Sequence, residues 1–282
     1  MHTSFDLAVN GYGVGFGNSA RLRGLRFNWK DRGVEEIIGV NLTFWKPGDN
    51  SDGRIAGLPL GLYGPGAGTL DGLSIGVLAI EADYYINGVA LALLAIANDG
   101  ETRGISIAGL SNVSGDNFYG IGIAGLANVS GGELYGIGIG GLANVIDGGM
   151  YGVTASLLAN VSNGEMKGVT VGGLANVING DVSGITVGGL ANVTDGSMSG
   201  IGASLRANVS GDETSGIMLG GLANVSGGSM TGISFGGLAN VADGGMTGIS
   251  ASLLANVTDG DATGIMFGGL ANVCDGDMTG IA

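Results

Sequence analysis

From Gly104 onward, aliphatic, small and polar positions recur in a unit of 16 residues without insertion or deletion. A Gly-Ile or Gly-Val pair opens each unit at Gly104, Gly120, Gly136, Gly152, Gly168, Gly184, Gly200, Gly216, Gly232, Gly248, Gly264 and Gly280. In the unit from Gly184 to Ser199, GITVGGLANVTDGSMS, β-branched residues alternate with small ones ahead of a Thr-Asp-Gly turn. This alternation predicts a strand followed by a turn. Three or four glycines per unit oppose a helix, since each costs about 1 kcal/mol relative to alanine in a helix interior. An asparagine holds the same step through Asn112, Asn128, Asn144, Asn160, Asn176, Asn192, Asn208, Asn224, Asn240, Asn256 and Asn272. So strict a period marks a stacked architecture, in which each unit buries its apolar face on its neighbours.

A longer period of 48 residues is superimposed. At Gly152, Gly200 and Gly248, a middle such as Val187-Gly188-Gly189 becomes Ala155-Ser156-Leu157, Ala203-Ser204-Leu205 and Ala251-Ser252-Leu253. The large residue moves from the third to the fifth position after the opening glycine. These positions share a strand face, and the swap conserves volume as a packed interior prefers. The pattern predicts that both face a core and that a three-unit block was duplicated. Acidic residues beyond Gly104 cluster around the turns, among them Asp195, Asp212, Glu213 and Asp259, whereas Arg206 puts a charge in the strand portion.

The expected fold is therefore all-β: a β-solenoid of 16-residue coils stacked about 4.8 Å apart, with an asparagine ladder hydrogen-bonded from coil to coil. The alternative is an antiparallel β-meander or membrane β-barrel with one strand per unit. Residues 1–56 read as an irregular N-terminal cap, 57–103 as irregular β repeats and 104–282 as the regular array. Seven of the ten basic residues and both tryptophans, Trp29 and Trp45, lie in the first 54 positions. No cap-like unit ends the array, which stops at Ile281-Ala282, three residues into a further copy that opens at Gly280; the expectation is an open end that self-associates or a longer natural chain.

Composition narrows the chemistry. The 62 glycines with 45% hydrophobic residues and mean hydropathy of +0.41 argue for order built from small residues. A net charge of -14 and a pI near 4.1 oppose nucleic acid as a partner. His2 is the single histidine and Cys274 the single cysteine, which removes histidine-based triads, histidine metal sites and an intrachain disulfide. The matches to G-x-G-x-x-G at Gly120 and Gly136 arise from the repeat and are expected to lack the following helix. Stacked turn carboxylates Asp259, Asp261, Asp275 and Asp277 are the best Ca²⁺ candidates, but the glycine-rich nonapeptide of Ca²⁺ solenoids is absent, so a solvated turn is expected. Glycosylation sequons at Asn41, Asn112 and further units ride on the structural asparagine. No basic and apolar leader opens the chain, and no run of about 18 apolar residues exists.

The units GIGIAGLANVSGG from Gly120 and GITVGGLANVTDG from Gly184, with the opening RGLRFN from Arg23, resemble bacterial surface-repeat proteins of spirochaetes and Bacteroidetes-like bacteria. Their units run Gly-aliphatic-x-aliphatic-(Gly/Ala)-Gly-Leu-x-Asn-Val. The resemblance implies a location at the cell surface or outside the cell, often as a lipoprotein, although a lipobox cysteine is missing here. It brings no catalytic residue and no cofactor. The expectation is a non-enzymatic structural or adhesive repeat protein whose partners are further copies of itself, or an extracellular protein or glycan. An outer-membrane barrel is the alternative.

Overall fold

The computed structural model describes residues 4–282, which form strands, turns and bends and no helix. The chain divides into two compact units, residues 1–141 and 142–282. Each is a β-solenoid in which strands one coil apart pair in parallel, residue on equivalent residue.

In residues 142–282 each 16-residue coil has a seven-residue strand, a two-residue corner, a four-residue strand and a turn. Met166–Gly172, for example, is followed by Ala175–Ile178, and Val182–Gly188 by Ala191–Thr194. The pairs Gly168 with Gly184, Val169 with Ile185 and Asn176 with Asn192 show the one-coil register. Pairing is parallel throughout this unit, so an antiparallel meander or barrel is not what these residues form.

The opening glycine is required by its backbone. From Gly152 to Gly280 this residue has φ between +109° and +134°, a region that L side chains avoid. A methyl group on Gly184 would overlap the carbonyl oxygen of Gly168 in the preceding coil. The glycine thus bends the long strand while the coils remain in contact.

The interior is narrow and layered. Counting from the opening glycine, the second, fourth, eighth, tenth and fourteenth positions point inward, as Thr186, Gly188, Asn192, Thr194 and Met198 illustrate. Volume is exchanged between the fourteenth position of one coil and the second of the next. Met198 faces a coil with Gly202, Thr214 one with Met218, Met230 one with Ser234, and Ala262 one with Met266. A β-carbon on Gly202 would meet the sulfurs of Met198 and Met218, so these side chains occupy one space. Conserved volume does mark the core, but at these positions. The expected swap sites are on the outside: Leu157, Leu205 and Leu253 are 70–74% exposed and Val187 is 37% exposed. The third position alternates with the inward second and fourth along the strand and so faces solvent, and the fifth lies in the corner beyond the strand end.

Residues 4–141 use the same coil less regularly. Ser4–Val9 pairs antiparallel with Tyr12–Gly17 through a turn in which Asn10 and Gly11 both have positive φ, as a tight hairpin turn requires. From Tyr12 on, pairing is parallel and aligns Gly13, Gly24, Gly39, Gly57, Gly72, Gly88 and Gly104. Coil stacking therefore runs well into the compositionally distinct 1–56 stretch, whose uneven spacing is absorbed between strands. Leu22, Ile37, Ile55, Leu70 and Ile86 fill the interior column that methionines occupy in the other unit.

Candidate functional site

The asparagines inside the coils are committed to structure. Asn160 Nδ2 donates to Asn176 Oδ1 at 2.9 Å and to the Val171 carbonyl at 2.9 Å; Asn176 donates likewise to Asn192 and to the Val187 carbonyl, both at 2.8 Å. The same bonds link Asn192, Asn208, Asn224, Asn240, Asn256 and Asn272 in order, and Asn144 to Asn160. In the first unit Asn112 donates to Asn128 at 2.9 Å. Each amide thus ties its own coil to the next, where unpaired it would carry the full cost of burial. Asn112, Asn128, Asn160, Asn192, Asn208, Asn224 and Asn256 are at most 3% exposed, so these sequon asparagines are sealed from solvent in the folded chain.

A second ladder escaped the sequence reading. Two residues after the asparagine, a hydroxyl donates to the carbonyl 14 residues earlier: Ser162 to Gly148, Ser210 to Gly196 and Ser226 to Asp212, each at 2.7 Å. Thr194 and Thr258 make the same bond, and Cys274 Sγ approaches the Gly260 carbonyl at 3.0 Å. The cysteine therefore stands in for a ladder hydroxyl. The recurring Asn-Val-Ser/Thr was the signal for this second ladder; as a sequon it pointed elsewhere.

The calcium candidates do not converge. Asp261 Oδ1 accepts the backbone N–H of Asp277 at 2.9 Å, which links two turns, and Asp259 and Asp275 occupy equivalent positions one coil apart. Among the described residues no three carboxylate, histidine or cysteine side chains gather closely enough to hold a metal ion. His2 lies outside the described residues. The Gly120 and Gly136 motifs lie in the strands Phe118–Ala124 and Leu134–Gly140, so they lack the helix N-terminus that a dinucleotide needs.

Two polar clusters in the first unit were not anticipated. Arg26, at an interior position, donates to Asp31 at 2.5 Å and to Asn41 at 2.9 Å; Asp31 also accepts from Asn28 and Asn41. Burial pushes the Asp31 carboxyl up, while Arg26, Asn41 and Asn28 pull it down. Both Arg26 and Asp31 are completely buried, which makes this a polar core and closes it to ligands. The other is an open hollow among Lys46, Asp49, Glu81, Asp83 and Asp99. Lys46 lies 3.6 Å from Glu81. Partial burial, then repulsion from Asp99, Asp49, Glu81 and Asp52, raises the Asp83 carboxyl above its ordinary range. A segregated set of carboxylates this close to solvent attracts mobile cations without forming a cage for one.

What remains is surface. In residues 142–282 the first and third positions after the opening glycine and the corner leucines point outward, forming columns of Ile, Val, Leu and Phe up the coils. The turn on the opposite side of each short strand carries the acidic residues. In the first unit Trp29 stacks on Trp45 and Phe44 with ring centroids 6.0 and 6.2 Å apart, and all three are exposed. Tyr119 stacks on Tyr135 at 5.0 Å, and the Arg103 guanidinium lies 6.0 Å from the Tyr119 ring. These are extended exposed surfaces with repeated chemistry.

No family model, curated protein or solved structure matches the chain.

Proposed function

We propose that this chain is a non-enzymatic structural and adhesive repeat protein displayed at the cell surface. The observation that carries the reading is the outward aliphatic surface, repeated coil after coil, on a scaffold whose buried asparagines serve a ladder. Apolar columns of this extent mark contact with other macromolecules. The sealed Arg26–Asp31 cluster and the buried asparagines favour rigidity over chemistry, because each is tied by hydrogen bonds to groups of its own protein. The resemblance of the LANV-type units to bacterial surface repeats supports the location. An extracellular protein or glycan is the class of partner that the exposed aliphatic and aromatic ladders suit.

The test is accessibility on intact cells that produce the protein. Antibody labelling and proteolytic shaving without lysis are expected to reach the chain as fully as they do after lysis. Labelling that appears only once cells are broken would overturn the reading.

A further inference from the structure

The outer surface of residues 142–282 has a regularity that coil stacking explains only in part: a β-carbon on Gly189, Gly221 or Gly237 would overlap the carbonyl oxygen of the preceding coil, so stacking calls for glycine there, whereas the third position is open on its outer side. At every level from Gly152 to Gly264, one of the third and fifth positions is large and the other small. The pairs run Ala203 with Leu205, Leu219 with Gly221, Phe235 with Gly237, and then repeat the first type. Both columns border one open hollow of about 520 Å³, floored by Gly221 and Gly237, flanked by Leu219 and Phe235, and closed at one end by Leu253. Volume compensation is a property of positions that share a confined space. The third position lies in the long strand and the fifth in the corner beyond its end, and the hollow they border is open on its outer side. Another molecule can supply that outer wall.

We propose that this face binds a second copy of the same chain, side by side, parallel and in register. A two-fold axis along the stacking direction, placed between the two columns, lays the fifth position of one copy over the third position of the other at each level. Leu205 then enters the gap over Ala203 of the second copy, and Phe235 sits over Gly237 of the second copy. Because the operation is its own inverse, every contact occurs twice, as an isologous interface requires. No level sets two large residues together and none sets two small ones together. Arg206, at the sixth position and exposed, lies at the rim, where its stem covers apolar surface and its head stays in water.

The area suffices. Eight levels at about 4.8 Å and a strip from first to sixth position at about 3.3 Å per residue give roughly 600 Å² per copy, so the pair buries about 1,200 Å², the lower bound for a specific interface. The proposal deepens the structural reading above by naming a partner for its apolar face. It can fail while surface display stands, since it is tested on purified protein.

Sedimentation over about 1–100 μM in detergent-free buffer is expected to show a dimer. The variant L157D/L205D/L253D is expected to weaken it at least 100-fold. Its thermal midpoint should match the parent's at a concentration where both are monomeric, because these side chains contribute little to the folded monomer. A203V sets a valine against Leu205 of the second copy and should weaken the dimer about tenfold, whereas A203V/S204G/L205G, which copies the neighbouring coil, should restore it. Nitroxide labels introduced in turn at positions 158, 190 and 254, in a Cys274→Ser background, should give the same distance between copies at all three. The proposal is overturned by a wild-type monomer across the range, including one that instead floats with phosphatidylcholine vesicles. It is equally overturned by a dimer that survives the three aspartates, or by label distances that differ among the three sites.

Discussion

Asn192 shows how much one side chain carries. Its amide donates to Asn208 at 2.8 Å, to the Ala203 carbonyl at 2.8 Å and to the Thr186 carbonyl at 3.2 Å, while its oxygen accepts from Asn176. Replacing it with alanine removes these bonds and leaves the Asn176 amide and two carbonyls buried with a bond missing. At about 1 kcal/mol or more for each group left unsatisfied, Asn192→Ala should cost about 3 kcal/mol, measured by chemical denaturation. Ser204 is the opposite case. Its hydroxyl is buried and finds no partner, as do those of Ser156 and Ser252 in the equivalent coils. Ser204→Ala should therefore leave the denaturation midpoint unchanged or raise it slightly. The asparagine was legible because a polar residue recurring within an apolar run has to be paired with its own copies. The hydroxyl ladder was less so, since serine and threonine two residues further on alternate with Ile146, Ile178 and Ala242 at the same interior position. Arg26 was illegible as a core residue: nothing in RLRGLRFN distinguishes it from the exposed Arg21 and Arg23, and only the return of Asp31 and Asn41 shows why it can be buried.

Between strands, the informative unit is the pair of interior positions on either side of the opening glycine. Met218→Ser alone should open a cavity beside Thr214 and cost about 2–4 kcal/mol. Thr214→Met alone should overpack the same space against Met218 and cost about 1–3 kcal/mol. Together they recreate the Met230 and Ser234 arrangement found one coil on. The double variant should fall within about 1 kcal/mol of the parent, giving a favourable interaction energy of several kcal/mol in a double-mutant cycle. Strictly additive losses would mean that the two side chains do not share a space. The alternation of small and large residues foretold strands, period and coil, but period alone leaves inside and outside unresolved. The Val187 to Leu157 exchange was more conspicuous than the methionine exchange, and it belongs to the solvent face. The acidic hollow adds an electrostatic case. Asp83 takes up a proton at higher pH in the folded chain than in the unfolded one, so its charge opposes folding above that raised range. This penalty vanishes as pH falls below the ordinary carboxylate range. Asp83→Asn should raise the melting temperature at neutral pH and low salt, and the gain should shrink with added salt or with acidification. A gain insensitive to both would assign the effect to something other than charge.

From Gly104 onward the composition describes one division of labour: acidic groups remain at or beside the wet turns while glycine lets backbones approach. The two-unit division at residue 141 has no compositional mark, because LANV units run through it unchanged; the change near residue 56 is visible in composition but not in the parallel pairing. In a stacked array, each coil contacts its neighbours alone, so stability is a sum of similar increments, and removing whole coils should shorten the array without unfolding it. Deleting residues 200–247 joins Ser199 to Gly248 and preserves the 16-residue phase. It also sets Val187 beside Ala251, equivalent to the native neighbour Ala203, and Asn192 beside Asn256, equivalent to Asn208. The product should keep the same circular dichroism per residue. Its denaturant slope should fall roughly in proportion to the surface removed, as a smaller cooperative array demands. Deleting 200–207 instead removes half a coil. Every following residue then meets a non-equivalent one, the positive-φ glycine column is interrupted, and asparagines are brought against positions that cannot accept from them. That variant should lose a large part of its ordered structure beyond the junction, seen as lost amide protection. If both deletions were tolerated equally, register between coils would not be what holds this unit together.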